Sequence, residues 1–289
     1  AEGVRRRSED GGGGRPRGTS LDDGVHLVVF VHGFQGNQFD LRMLKNQLAD
    51  RFPLSEMLLS AANEKDTYAD MQTLGSNLAV EVDAYIGRMV LPLARLSFIG
   101  HSLGGVIARA CLAHPVMQRY HSKLFTYCSL GSAHLGYQYS ENRYVDIGMW
   151  VLKKVKNSTA LHQFSLSDSK DPATSYMYRL SEMSVLHLFK NVILVASPQD
   201  GYAPYTSARI EAHPKSFRDN KFGPVYRKMV QNLLQPMYEA GTNLVRYEVH
   251  FHVEGQGLDG RIKRAAHIML LENVPFIRHL LATNGHYFS

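Results

Sequence analysis

The chain has 289 residues, 44% of them hydrophobic, enough for one large α/β domain or two small ones with a buried core, which excludes a disordered or fibrous chain. Lysine and arginine outnumber acids 32 to 26, a net charge of +6, but five arginines against three acids fall in the first twenty residues and the body has no dense basic stripe interleaved with aromatics; nucleic acid is therefore excluded as a partner. Two cysteines are too few for a disulfide framework, and with no run of about 18 apolar residues and no N-terminal apolar segment the expectation is an intracellular, cytoplasmic protein.

Residues 1–22 hold Arg5-Arg6-Arg7, the run Gly11 to Gly14 and Arg15-Pro16-Arg17. Such a segment has no apolar surface to offset its ordering entropy and reads as a flexible tail ahead of one domain over residues 23–289. Its glycines precede no Gly-Lys-Ser/Thr and so make no phosphate loop. His26-Leu27-Val28-Val29-Phe30-Val31 is a continuous apolar run, the pattern of a central parallel strand buried on both faces. It feeds the loop His32-Gly33-Phe34-Gln35-Gly36, after which Leu41, Leu44 and Leu48 recur at helical spacing. From Thr67 onward Met71, Leu74, Leu78, Val82, Tyr85 and Met89 form a one-sided stripe, which predicts a long helix capped by Thr67 or Asp66.

The run Leu96-Ser97-Phe98-Ile99, then Gly100-His101-Ser102-Leu103-Gly104, then Gly105-Val106-Ile107-Ala108 reads as strand, sharp turn and helix with a serine at the apex. A turn of this kind, a nucleophile elbow, lifts a hydroxyl above a sheet edge beside a helix N-terminus, where a backbone N–H faces a developing oxyanion. Cys111 and Cys128 read as small buried hydrophobes. Further strands are expected at 124–130, 191–197 and 244–251, and a helix at 223–240. This alternation implies a mostly parallel sheet with helices on both faces. The interval 135–188 is longer than a connection needs and is read as an inserted cap or lid. Within it Val145, Met149, Leu152 and Val155 recur at helical spacing beside Trp150, with Lys153, Lys154 and Lys156 close by. That basic amphipathic pattern suits peripheral contact with a membrane surface, and equally a helix on the sheet edge with solvated lysines.

A serine hydroxyl needs an adjacent base and a third group to orient that base. In α/β hydrolases the chain order is Ser, then Asp or Glu, then His, at the carboxyl ends of strands. Asp200, in Ser197-Pro198-Gln199-Asp200-Gly201 directly after an apolar run, fits the orienting acid, although a turn-forming Asp-Gly would look the same. Asp168 and Asp171 sit in the irregular insert and fit less well. Among fourteen histidines, His267 is preferred as base, where a loop carried past the last strand meets the final helical segment, with His252 next and His250 beside it. His101 is expected to support the elbow, since a chain neighbour of the serine on a tight turn points elsewhere. Oxyanion donors are expected from the N–H groups of Phe34 and Leu103. No zinc-ligand spacing, dinucleotide fingerprint or calcium-type acidic cluster occurs, so the chemistry is expected to need no metal and no cofactor.

With these residues in hand the chain resembles the serine esterase family of lipase-like α/β hydrolases, most of all the carboxy-terminal esterase-like domain of a group of large eukaryotic proteins. The resemblance rests on His32-Gly33-Phe34 with Gly36-Asn37, on Ile99-Gly100-His101-Ser102-Leu103-Gly104, and on Ser132-Ala133-His134-Leu135-Gly136. It extends through Val195-Ala196-Ser197-Pro198-Gln199-Asp200, Ser207-Ala208-Arg209-Ile210-Glu211 and Ala265-Ala266-His267-Ile268. It implies Ser102 as nucleophile, Asp200 as acid, His267 as base, and hydrolysis of carboxylic esters such as acyl lipids. His134 and Leu135 are expected near the substrate, in a stretch where Ala133 replaces the proline common in related lipases. The competing expectation is a non-catalytic lipid- or protein-binding module that retains the fold; acyl transfer to an alcohol differs from hydrolysis only in the acceptor.

Overall fold

The computed structural model describes residues 24–139, 158–252 and 259–288. Six strands form one sheet: β1 (Val25–Val31), β2 (Glu56–Leu59), β3 (Leu93–His101), β4 (Leu124–Leu130), β5 (Asn191–Ala196) and β6 (Asn243–Glu248), in the order β2-β1-β3-β4-β5-β6. Every neighbouring pair is parallel. The connections carry α1 (Arg42–Arg51), α2 (Met71–Ile86), α3 (Leu103–Leu112), α4 (Thr159–Phe164), α5 (Tyr176–Glu182), α6 (Tyr205–Ala208) and α7 (Gly223–Glu239), and the chain continues through α8 (Asp259–Glu272) and α9 (Val274–Asn284).

Side chains alternate across a strand, so the apolar run of β1 supplies both faces. Leu27, Val29 and Val31 pack with Leu74 and Leu78 of α2, Val106 of α3 and Leu233 of α7. Val28 and Phe30 pack with Leu44 and Leu48 of α1, Leu270 of α8 and Ile277 of α9. The expected fold, an α/β-hydrolase sheet covered on both faces, is therefore the observed one. No helix among the described residues is long and apolar enough to cross a membrane.

Two element boundaries and one whole element differ from expectation. The second helix starts at Met71 and its cap is Asp70, whose carboxylate accepts from the Thr73 N–H at 2.9 Å; Thr67 and Asp66 do other work. The last strand stops at Glu248 rather than 251, because Gln199 takes over the pairing: its Oε1 accepts from Phe251 N at 2.6 Å and its Nε2 donates to Phe251 O at 2.9 Å. The short strand β2 at the sheet edge was not legible as a strand. Within the interval 135–188, α4 and α5 bury Phe164, Met177 and Leu180 in the core shared with α2 and α3, and Gln163 accepts from Met71 N at 2.7 Å, tying α4 to the start of α2. The helix expected over 145–155 with Trp150, and the tail over 1–22, lie outside the described residues.

Because all strands run the same way, the loops after their carboxyl ends gather on one edge. The chain leaves β1 outward to β2 and returns across β1 to β3. Such a reversal opens a crevice between the two strand ends, the position where open α/β sheets place ligands.

Candidate active site

Ser102 stands in this crevice between β3 and α3 with φ 54° and ψ −122°. A left-handed backbone at a residue with a Cβ costs on the order of 1 kcal/mol and persists only where the surroundings enforce it. Here the Ser102 N–H donates to Leu130 O at the end of β4 (2.9 Å). On the far side α3 passes so close to β1 that a Cβ at Gly104 would lie 2.1 Å from Val31 O, which only glycine avoids. The result is a half-buried hydroxyl at the N-terminus of a helix whose every residue is buried. Leu103 holds the first helical position, where the N–H has no intrahelical partner, and the helix dipole favours negative charge at that end.

The loop after β1 faces this turn; a Cβ at Gly33 would lie 2.9 Å from Ser102 Cβ. His32 Nδ1 donates to Gly33 O at 3.0 Å, and Gly36 N–H donates to Gly33 O at 3.1 Å. Thr67, expected as a helix cap, instead accepts from Gln35 N at 2.9 Å, and the Phe34 ring packs edge-on to Tyr68 at 4.9 Å. The backbone at Phe34 is thus braced next to Ser102.

Asp200 follows β5, and its side chain is 1% exposed. Its Oδ1 accepts from the N–H groups of Tyr202 (2.7 Å) and Ala203 (3.1 Å), and its Oδ2 lies 2.6 Å from Nδ1 of His267. A carboxylate only accepts, so His267 carries its hydrogen on Nδ1 and leaves the Nε2 lone pair available to take a proton. His267 and Ser102 line one cavity of about 400 Å³. His267, expected where a loop meets the final helical segment, lies well inside α8, eight residues after its start. His252 is exposed and His250 bonds Glu248 at the surface (2.7 Å). Asp168 is spent on Tyr176 N (2.8 Å) and Asp171 on Ala173 N (2.9 Å).

His134 and Leu135, expected to touch substrate, are both 0% exposed, and neither lines the cavity. His134 Nε2 bonds Ser129 Oγ at 2.9 Å, its carbonyl accepts from the buried Arg109 at 3.1 Å, and Leu135 N–H donates to Ser207 Oγ at 2.9 Å. Burial, and then the Arg109 charge, hold the His134 imidazole well below its ordinary range. These residues fix the loop under the site, a correction that follows from the tight turn at Gly136 (φ 77°), which sends the chain to the surface only at Tyr137.

The walls come from residues that motif reading passed over. Tyr137 and Leu161 reach the cavity from the insert, and Tyr202 follows Asp200, its ring 5.2 Å from that of His267. Burial raises the Tyr202 phenol above its ordinary value, with Asp200 adding to the effect. Arg264, Ile268, Leu271 and Glu272 flank His267 along α8. Their spacing of three and four residues is one helical face, a signal available in the sequence once His267 is placed on a helix.

A family described as Putative serine esterase (DUF676) has a model that matches residues 22–213. A relative named as a putative lipase of Saccharomyces cerevisiae is 29% identical over 212 residues, 68% of this chain and 32% of its own length, so the chain spans about a third of the curated relative it matches. Among solved structures, the product of the lin2722 gene of Listeria innocua superposes with a TM-score of 0.55 at 12% identity, covering 89% of this chain and 92% of that one. A fungal esterase of Rhizomucor miehei gives 0.52 at 16% identity, covering 95% and 78%. At these identities the two structures speak for the fold alone.

Proposed function

Starting from a chain that belongs to the serine esterase family whose model spans residues 22–213, we propose that it hydrolyses carboxylic esters through Ser102, His267 and Asp200 and an acyl-enzyme. The observation that carries this reading is a serine held in left-handed backbone geometry (φ 54°) at a strand-to-helix turn, on the same cavity as an imidazole bonded at 2.6 Å to a buried carboxylate. His267 Nε2 takes the hydroxyl proton as Ser102 Oγ bonds to the ester carbonyl carbon, and Asp200 stabilises the imidazolium that forms. The N–H groups of Leu103 and Phe34 hold the oxyanion. Collapse breaks the bond to the alkoxy oxygen, which leaves as alcohol with the proton from Nε2. Water, deprotonated by the same nitrogen, then attacks the acyl-enzyme and frees the acid and Ser102.

Acyl lipids are the substrate class this reading favours: Phe34, Leu161, Ile268 and Leu271 supply the apolar part of a cavity lining that also carries Asp40, Arg264 and Glu272. The narrower likeness to an esterase-like domain of a larger protein draws support from the yeast relative, of which this chain covers 32%.

A fluorophosphonate probe is expected to label the wild type and not Ser102→Ala. On a p-nitrophenyl ester series Ser102→Ala should lose at least about 10⁴-fold in kcat, with rates rising from acetyl to longer acyl chains. Wild-type protein with native circular dichroism that neither labels nor turns over any ester would overturn the proposal.

A further inference from the structure

The steps above leave one imidazole of the cavity unused. His101 closes β3, is buried, and lines the same cavity as Ser102. Its Nε2 lies 3.2 Å from the backbone oxygen of His267, and the two rings stand 4.6 Å apart at 45°. A carbonyl only accepts, so His101 carries its hydrogen on Nε2 and donates. On the opposite side a Cβ at Gly33 would lie 3.4 Å from His101 Nδ1. The ring is therefore wedged between the loop that carries Phe34 and the helix that carries His267.

This places two grips on one residue of α8. Asp200 holds the His267 ring at Nδ1 and so sets its rotation, while His101 holds the His267 backbone and so sets how deep the helix turn sits over Ser102. A ring anchored only by the first grip can keep its carboxylate bond while Nε2 drifts from the serine. We propose, resting on the esterase reading, that His101 is a positioning residue: through its Nε2–H bond to the His267 carbonyl it fixes the distance between the base and the nucleophile.

Two further facts fit. Burial, then the neighbouring His267, and in smaller part His32, hold His101 well below the ordinary imidazole range. It thus remains neutral while His267 takes up the serine proton, and puts no second cation beside it. A neutral hydrogen bond of this kind contributes little to global stability, whereas a displacement of about 1 Å at a reacting group can cost about 100-fold in rate. The signature of positioning is therefore a loss of rate out of proportion to any loss of stability.

The experiment compares His101→Leu, which removes the donor at similar volume, with His101→Gln, whose amide N–H can reach the same carbonyl. His101→Leu is expected to lower kcat by about 10- to 100-fold with KM within about twofold. His101→Gln should restore kcat to within about fivefold, with fluorophosphonate labelling rates following kcat. Unchanged kcat in His101→Leu would overturn the assignment. So would equal impairment of the two variants at wild-type melting temperatures. If His101→Leu does not fold, His101→Asn, whose amide is one methylene shorter and falls short of the carbonyl, replaces it under the same criteria. A wild type without labelling or turnover overturns the esterase reading itself, and this assignment with it.

Discussion

A methyl group added at Gly131 would enter the space between Asp200 and His267. The residue directly follows β4 with φ 59°, and a Cβ there would lie 2.9 Å from Asp200 Oδ2, 2.9 Å from Leu270 Cδ1 and 3.3 Å from His267 Nδ1. None of these can retreat easily, since Asp200 is fixed by two backbone donors and Leu270 is fully buried. Gly131→Ala is expected to destabilise by about 1 kcal/mol through its backbone alone and to lower kcat about 100-fold by parting the pair. Steady-state kinetics with a urea titration separate the two, and an unchanged kcat would show that the dyad tolerates the displacement. Gly131 could not be read from the sequence, whereas Ser102, Asp200 and His267 could. The last three are residue types whose chemistry limits the reasonable alternatives, each set directly after an apolar run or within a distinctive local stretch. Gly131 matters only through what folds against it, 69 and 136 residues further along the chain, and a lone glycine after a strand announces nothing more than a turn.

The elements follow the same logic. β1, β3, β4 and β5 were legible because strands buried on both faces are continuous apolar runs, and runs of that kind leave few other structures open. β2 lies at the sheet edge with one exposed and three half-buried residues, and its run of three apolar residues, Met57-Leu58-Leu59, is too short to announce a strand. α2 was legible as a helix from its stripe but not in its first turn, where three capping residues compete within five positions. Asp70 takes the cap with two bonds to Thr73, at 2.9 Å to the N–H and 2.7 Å to Oγ1, while Thr67 is drawn to Gln35 by a contact that exists only in the folded molecule. Partial burial works to raise the Asp70 carboxyl, but the Thr73 donors outweigh it and hold the group below its ordinary value. Such a carboxylate stabilises the fold above the unfolded-state range and loses that contribution as pH falls through the folded value. Asp70→Ala is expected to cost about 1 kcal/mol at pH 7, with the difference from wild type shrinking toward pH 3 in urea titrations. A constant difference across that range would assign the cost to helix propensity rather than to the cap.

Over the whole molecule the two ends of the described chain meet beneath the sheet, at the edge opposite the cavity, and the joint is a histidine. His26 is the second residue of β1; its Nδ1 lies 3.1 Å from Phe288 O and its Nε2 lies 2.7 Å from Ser97 Oγ on β3, which in turn accepts from Thr126 N on β4 at 3.0 Å. The carbonyl fixes the hydrogen on Nδ1, so in the neutral ring Nε2 accepts from the Ser97 hydroxyl. Protonation at Nε2 would make the Ser97 O–H rotate away and leave its oxygen to accept from both the ring and Thr126 N. Burial, with the Arg95 charge adding to it and the Phe288 bond opposing, lowers the His26 pKa from 6.5 to about 4. Between those values the unfolded chain binds a proton that the folded one refuses, so stability rises with pH through that window and levels off above about 6.5. The buried His101 and His134 are lowered in the same direction and steepen the slope. From the His26 shift alone the fold should lose up to ~3 kcal/mol between pH 6.5 and 4. Urea unfolding at fixed ionic strength from pH 7 to pH 4.5 measures this, with His26→Gln as the comparison. The variant is expected to be weaker at pH 7, where it lacks the imidazole bridge, yet to give a flatter curve that approaches the wild-type curve as the pH falls. Parallel curves would mean that the ring is not held neutral, and that the clasp between β1, β3 and residues 285–288 tolerates a charge at its centre.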